Sequence, residues 1–136
     1  MAFIAFAAVL AASAPAPVEQ ARQALAAQEA AWNGGLLEDA LAAYCDRPDL
    51  LWVSARGTEA GFAEFASGMR RQFADRAAMG TMRIELLDAR PAGRRGALTV
   101  TRWSIERDGR RLMGGVSTQL WARCYGRLRV VLEHAS

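Results

Sequence analysis

A chain of 136 residues has the length of one domain, and 52% hydrophobic residues with four Trp and five Phe exclude a disordered composition. All 17 basic residues are arginine, which excludes lysine Schiff-base and P-loop chemistry, and the single histidine, His134, excludes a three-histidine zinc site. The net charge of +3 is spread over separate pairs, Arg70-Arg71, Arg94-Arg95 and Arg110-Arg111, so the sequence predicts a solvated basic surface and no nucleic-acid partner.

Ala2 to Ala12 is an apolar run that is too short to span a bilayer but fits the core of a signal peptide. Residues 1–17 therefore read as a signal segment, which predicts export to the periplasm or beyond and no stable membrane insertion. A start-site artefact with a cytoplasmic product is the alternative. Residues 18–136 form the domain. Val18, Ala21, Leu25, Gln28 and Trp32 share one helical face, and Asn33-Gly34-Gly35 ends that helix. Leu37, Ala40, Leu41 and Tyr44 predict a second helix with Glu38-Asp39 at its start. Leu50 to Ser54 reads as a buried strand, and Arg56-Gly57-Thr58 as a tight connection. Phe62, Phe65, Ala66, Met69 and Phe73 then return to helical spacing.

From Met82 onward the period is two. Met82, Ile84 and Leu86 alternate with Arg83 and Glu85, and Ala97 to Arg107 alternates again. Asp108-Gly109 predicts a hairpin, Leu112 to Arg123 the next strand with a bulge or bend at Gly114-Gly115, and Leu128 to Ala135 the last strand. The order is helix, helix, strand, helix, then four antiparallel strands, an α+β fold.

That order and several motifs resemble the nuclear-transport-factor-2-like superfamily, in its SnoaL-like and ketosteroid-isomerase-like branch. The motifs are Ala31-Trp32-Asn33-Gly34-Gly35, Tyr44 with Asp46 and Pro48-Asp49, Ala77-Ala78-Met79-Gly80-Thr81, Arg102-Trp103, Gly114-Gly115-Val116 and the closing Glu133-His134-Ala135-Ser136. The resemblance implies a cone in which a curved mixed sheet wraps three helices around an apolar pocket, and a homodimer through the sheet. It also implies a small apolar ligand with isomerase-, cyclase- or hydratase-type chemistry. A non-catalytic ligand-binding or dimer-assembly module is the alternative, since this fold hosts both. No cofactor and no metal is expected.

His134, in phase with Val130 and Leu132, is the candidate acid-base group at the pocket mouth, with Tyr44 beside it. The alternative is a buried histidine tying the end of the sheet to a backbone carbonyl. Trp32, Tyr44, Trp52, Trp103, Thr118 and Trp121 are the candidate ligand wall, each of which can also be ordinary core. In the resembled fold the first and last strands run side by side, so Cys45 and Cys124, each just before one of them, come to the same end of the sheet. They are candidates for a disulfide or for two buried thiols.

Overall fold

The computed structural model describes residues 13–136. The segment read as a signal peptide falls mostly outside the described residues. Among those described, no helix is long and apolar enough to cross a membrane.

Helix α1 spans Pro17–Asn33, with the proline in its first turn, where a missing N–H costs nothing. It buries Ala21, Leu25, Gln28 and Trp32. Helix α2 is short, Leu37–Leu41. Strands β1 (Leu51–Ser54) and β2 (Gly57–Ala60) form a hairpin, followed by α3, Phe62–Gln72, and a one-turn α4, Arg76–Met79. Four long strands complete the chain: β3 Thr81–Ala92, β4 Gly96–Arg107, β5 Arg110–Cys124 and β6 Arg127–Ala135. The sheet order is β2-β1-β6-β5-β4-β3. β1 pairs parallel with β6, and the other pairings are antiparallel. The predicted α+β architecture is present, a mixed sheet against helices.

Three local readings need correction. Residues 57–60 are a strand, because Gly57, at φ 117°, turns the chain tightly enough for β2 to pair back on β1. Tyr44 is not on the second helix. It follows a turn and sits in an isolated parallel bridge with Val130. The β4–β5 register shift falls at Leu112, not at Gly114-Gly115. Those glycines serve close approach instead: a Cβ on Gly115 would collide with the Ser136 carbonyl. Asp108-Gly109 does make the hairpin, both residues at positive φ.

The inner face of the sheet carries the core. Trp121, Ala97, Val130 and Leu128 pack against Ala21 and Leu25 of α1, Leu41 of α2, and Phe65 and Ala66 of α3. A second cluster gathers Trp32, Ala40, Phe73, Met79 and Ile105. Side chains of α1 also cover the β3 edge. Ile84 N–H donates to Glu29 at 2.5 Å, and Asn33 both donates to Met82 O at 2.9 Å and accepts from Met82 N–H at 2.7 Å. Three backbone groups at the start of this edge are thus paired, which blunts that part of it as an aggregation template. Cys45 and Cys124 are joined in a disulfide with Cα atoms 5.8 Å apart, linking the segment before β1 to the β5–β6 turn.

Candidate functional site

A one-residue register shift in β6 decides the chemistry of the inner face. Leu120 pairs with Leu132, but Trp121 pairs with Val130, so Val131 is an extra residue in β6. A bulge of this kind inverts the alternation beyond it. Leu128 and Val130 point into the core, and after the bulge it is Glu133 and Ala135 that are buried, while His134 is exposed. The cross-strand register places Trp52, Glu133, Gln119 and Thr99 in one row across the inner face.

Glu133 is only 4% exposed. The Tyr44 hydroxyl, carried over the sheet by the segment after α2, donates to its Oε2 at 2.7 Å. Behind it a directional chain fixes the neighbouring amide. Trp121 Nε1–H, which can only donate, bonds Thr99 Oγ1 at 2.8 Å, and Thr99 Oγ1–H bonds Gln119 Oε1 at 2.8 Å. The Gln119 NH2 group is thereby left for the carboxylate. Burial pushes the Glu133 carboxyl above its ordinary range, and Tyr44, Ser117 and Gln119 pull back in favour of the ionised form without cancelling the rise. Ser117 Oγ is nevertheless buried without a protein partner meeting hydrogen-bond geometry, so Tyr44 is the firm donor. Tyr44 itself is held well above the usual phenol range, first by burial and then by the Glu133 charge.

This pair opens onto a cavity of about 840 Å³ between sheet and helices. Tyr44, Trp52 and Phe65 form one wall. Trp52 stacks on Phe65 with centroids 4.8 Å apart, and Tyr44 lies 4.7 Å from the same Phe65 ring. Trp32 and Phe73, edge to face at 4.7 Å, also line it, together with Trp103, Ile105, Met82 and Met113 of the same cluster. Arg56, Glu59 and Arg71 also border the space. The arrangement can enclose an apolar molecule and offer it one buried carboxyl. Among the described residues there is no cluster of three or more acidic, histidine or cysteine side chains able to hold a metal.

Of the residues singled out from sequence, Trp32, Tyr44, Trp52 and Trp103 border this cavity. Trp121 does not line it; it is fully buried in the core. Thr118 and His134 do not line it, because they pair with each other on the outer face of the sheet. The expectation that His134 and Trp32 share a cavity therefore fails, and the cause is the Val131 bulge. Glu133 was missed for the same reason. Unbroken alternation from Val130 puts Leu132 and His134 inside and Glu133 outside, and the only hint was its place in the closing Glu133-His134-Ala135-Ser136 motif.

No protein-family model and no curated protein matches the chain. Solved structures do. A nuclear-transport-factor-2-like protein of unknown function from Shewanella oneidensis is similar with a TM-score of 0.82 at 24% identity, over 88% of this chain and 98% of that one. A cystatin-like domain from Nostoc punctiforme reaches 0.73 at 14% identity, over 91% and 78%. A second protein of the same fold and unknown function, from Pseudomonas putida, reaches 0.68 at 20% identity, over 88% and 84%. The chain therefore has the nuclear-transport-factor-2-like fold.

Proposed function

We propose that this domain binds a small, mainly apolar molecule in the cavity and that Glu133, steadied by Tyr44, moves a proton at its polar end. The observation that carries this is a single buried carboxyl, raised by desolvation and bonded to a buried tyrosine, in the wall of an otherwise largely apolar and aromatic cavity. A carboxyl so placed can take a proton from carbon or oxygen and return it to a neighbouring atom. That is the common step of the isomerase-, cyclase- and hydratase-type reactions implied by the SnoaL-like and ketosteroid-isomerase-like resemblance. The acid-base role expected of His134 passes to Glu133 in this reading, with Tyr44 keeping its part. No cofactor is called for by the proton transfer. The disulfide suits an oxidising compartment, which agrees with export.

The test has two stages. Native mass spectrometry of the purified protein identifies the co-purifying molecule, expected to be apolar and well under the cavity volume. Incubation of that molecule with the protein in deuterated water is then followed by proton NMR. Deuterium should enter the ligand with the native protein and not with Glu133→Gln, which should still bind. Exchange that survives the substitution would remove Glu133 from the chemistry and leave the binding function standing.

A second reading, assembly through the sheet, is favoured by one observation. The outer face carries two cross-sheet rows, Leu51-Leu132-Leu120-Leu98 and Val53-His134-Thr118-Val100. The core helices pack on the other side. Seven of the eight side chains in these rows are half-buried, and only His134 is exposed, so a second copy of this chain has a largely apolar surface to cover. Binding and dimer formation use opposite faces and are compatible.

A further inference from the structure

Among the described residues, the indole of Trp103 stands apart from the other buried indoles. Trp32 Nε1–H donates to Met79 O at 2.9 Å and Trp121 Nε1–H to Thr99 Oγ1 at 2.8 Å. Trp103 Nε1 is buried and has no protein partner. A buried N–H without an acceptor is costly and calls for an explanation.

The side chains packed around it supply no acceptor. Trp103 sits on the inner face of β4, in the cavity wall, packed with Ile105 and near Met113 and Met82. None of these side chains carries an oxygen. Directly across the β4–β5 pair is Gly115, and the place a Cβ there would take, 3.9 Å from Nε1, is filled by the main-chain carbonyl of Ser136. That carbonyl accepts from Val116 N–H at 3.0 Å and forms no bond with the indole.

We infer that Trp103 Nε1–H is a ligand-anchoring donor, and that the molecule bound in the cavity carries an acceptor oxygen (carbonyl, ester or ether) aimed at it. This rests on the small-molecule reading above and deepens it. An indole N–H can only donate, so it selects for acceptors. An ammonium group, which can only donate, would leave that N–H unpaired. The ligand therefore has two polar demands on it, an acceptor at Trp103 and a proton-exchanging group at Glu133, joined by an apolar body.

The test uses two probes of nearly the same shape, 2-acetylnaphthalene and 2-ethylnaphthalene, titrated calorimetrically into the native chain and into Trp103→Phe. The substitution removes the N–H and keeps an aromatic ring. The expected result is that the ketone loses roughly 3- to 10-fold in affinity, while the hydrocarbon changes by less than about twofold. Equal changes for the two probes, or none for either, would overturn the inference and leave the cavity reading intact. If neither probe binds the native chain, the cavity reading falls and the inference with it. A direct readout on native protein covers the case of a misfolded variant: the Trp103 indole proton should move downfield with the ketone and not with the hydrocarbon. An indole proton that responds alike to both would count against the donor role.

Discussion

Reducing the Cys45–Cys124 disulfide should cost this domain much of its stability and loosen its candidate site at the same time. The bridge closes a loop with a sequence separation of 79. In the chain-entropy account, a cross-link over a loop of that length restricts the unfolded chain by about 4.5 kcal/mol. With an unfolding entropy of about 2.1 cal/mol/K per residue, that is a fall of roughly 15–20 °C in the midpoint. The bridge also does local work. Cys45 N–H bonds Val130 O at 2.9 Å and Val130 N–H bonds Ala43 O at 2.9 Å, so Tyr44 is pinned between the disulfide and the last strand. Both sulfurs belong to residues only 2% exposed, so the bridge is shielded in the folded state. Thermal unfolding of oxidised protein, of protein reduced under denaturing conditions and refolded, and of Cys45→Ala/Cys124→Ala measures the effect. The two thiol-free or reduced forms should agree and both should lie well below the oxidised one. A loss under about 1 kcal/mol in both would contradict this, and would mean the unfolded chain is already confined without the bridge.

Other outcomes follow from the inner and outer faces. Burial holds the Glu133 proton above its ordinary range, so the native state binds that proton more tightly than the unfolded chain. Its contribution is complete below the usual carboxylate value and is lost as pH rises through the folded value. Urea midpoints from about pH 4 to 8 should therefore fall with a component that Glu133→Gln abolishes, and equal slopes in the two proteins would contradict this. Thr99→Val removes the link between Trp121 and Gln119 and leaves a buried indole N–H unpaired. It should cost roughly 1–3 kcal/mol in chemical denaturation, against well under 1 if the relay is idle. Leu132→Arg, in the middle of the outer apolar rows, should turn a dimer into a monomer in sedimentation equilibrium without altering affinity for an apolar probe. His134→Ala should likewise leave probe binding unchanged, since its side chain is across the sheet from the cavity.

The long elements were legible in the sequence because their signals are local and strong. The helical spacing of Phe62, Phe65, Ala66 and Met69 gave α3, and the Asp108-Gly109 turn with its flanking alternation gave the β4–β5 hairpin. The short elements were not. β2 has no buried side chain at all and exists only because it pairs with β1, so no hydrophobic pattern marks it. Tyr44 continues the apolar spacing of α2, yet α2 ends at Leu41 and Tyr44 instead bridges to Val130. The site suffered most, because a single inserted residue exchanges the two faces of a strand and leaves no trace in composition. Val131 is as suitable for regular alternation as for a bulge. Trp32, Tyr44, Trp52 and Trp103 were found as large rings that a small domain must place, with Trp32 and Tyr44 at helix ends near loops, whereas the buried carboxyl of Glu133 was hidden by the register of the last ten residues.

Occupancy of the inner cavity beside Glu133 and Trp103 can be read from a ¹H–¹⁵N titration of the assigned protein with 2-acetylnaphthalene. Shifts should concentrate on Tyr44, Trp52, Trp103, Gln119 and Glu133, while Leu120, Leu132 and His134 stay in place. Shifts confined to the outer-face residues, or no saturable shift anywhere, would contradict such occupancy.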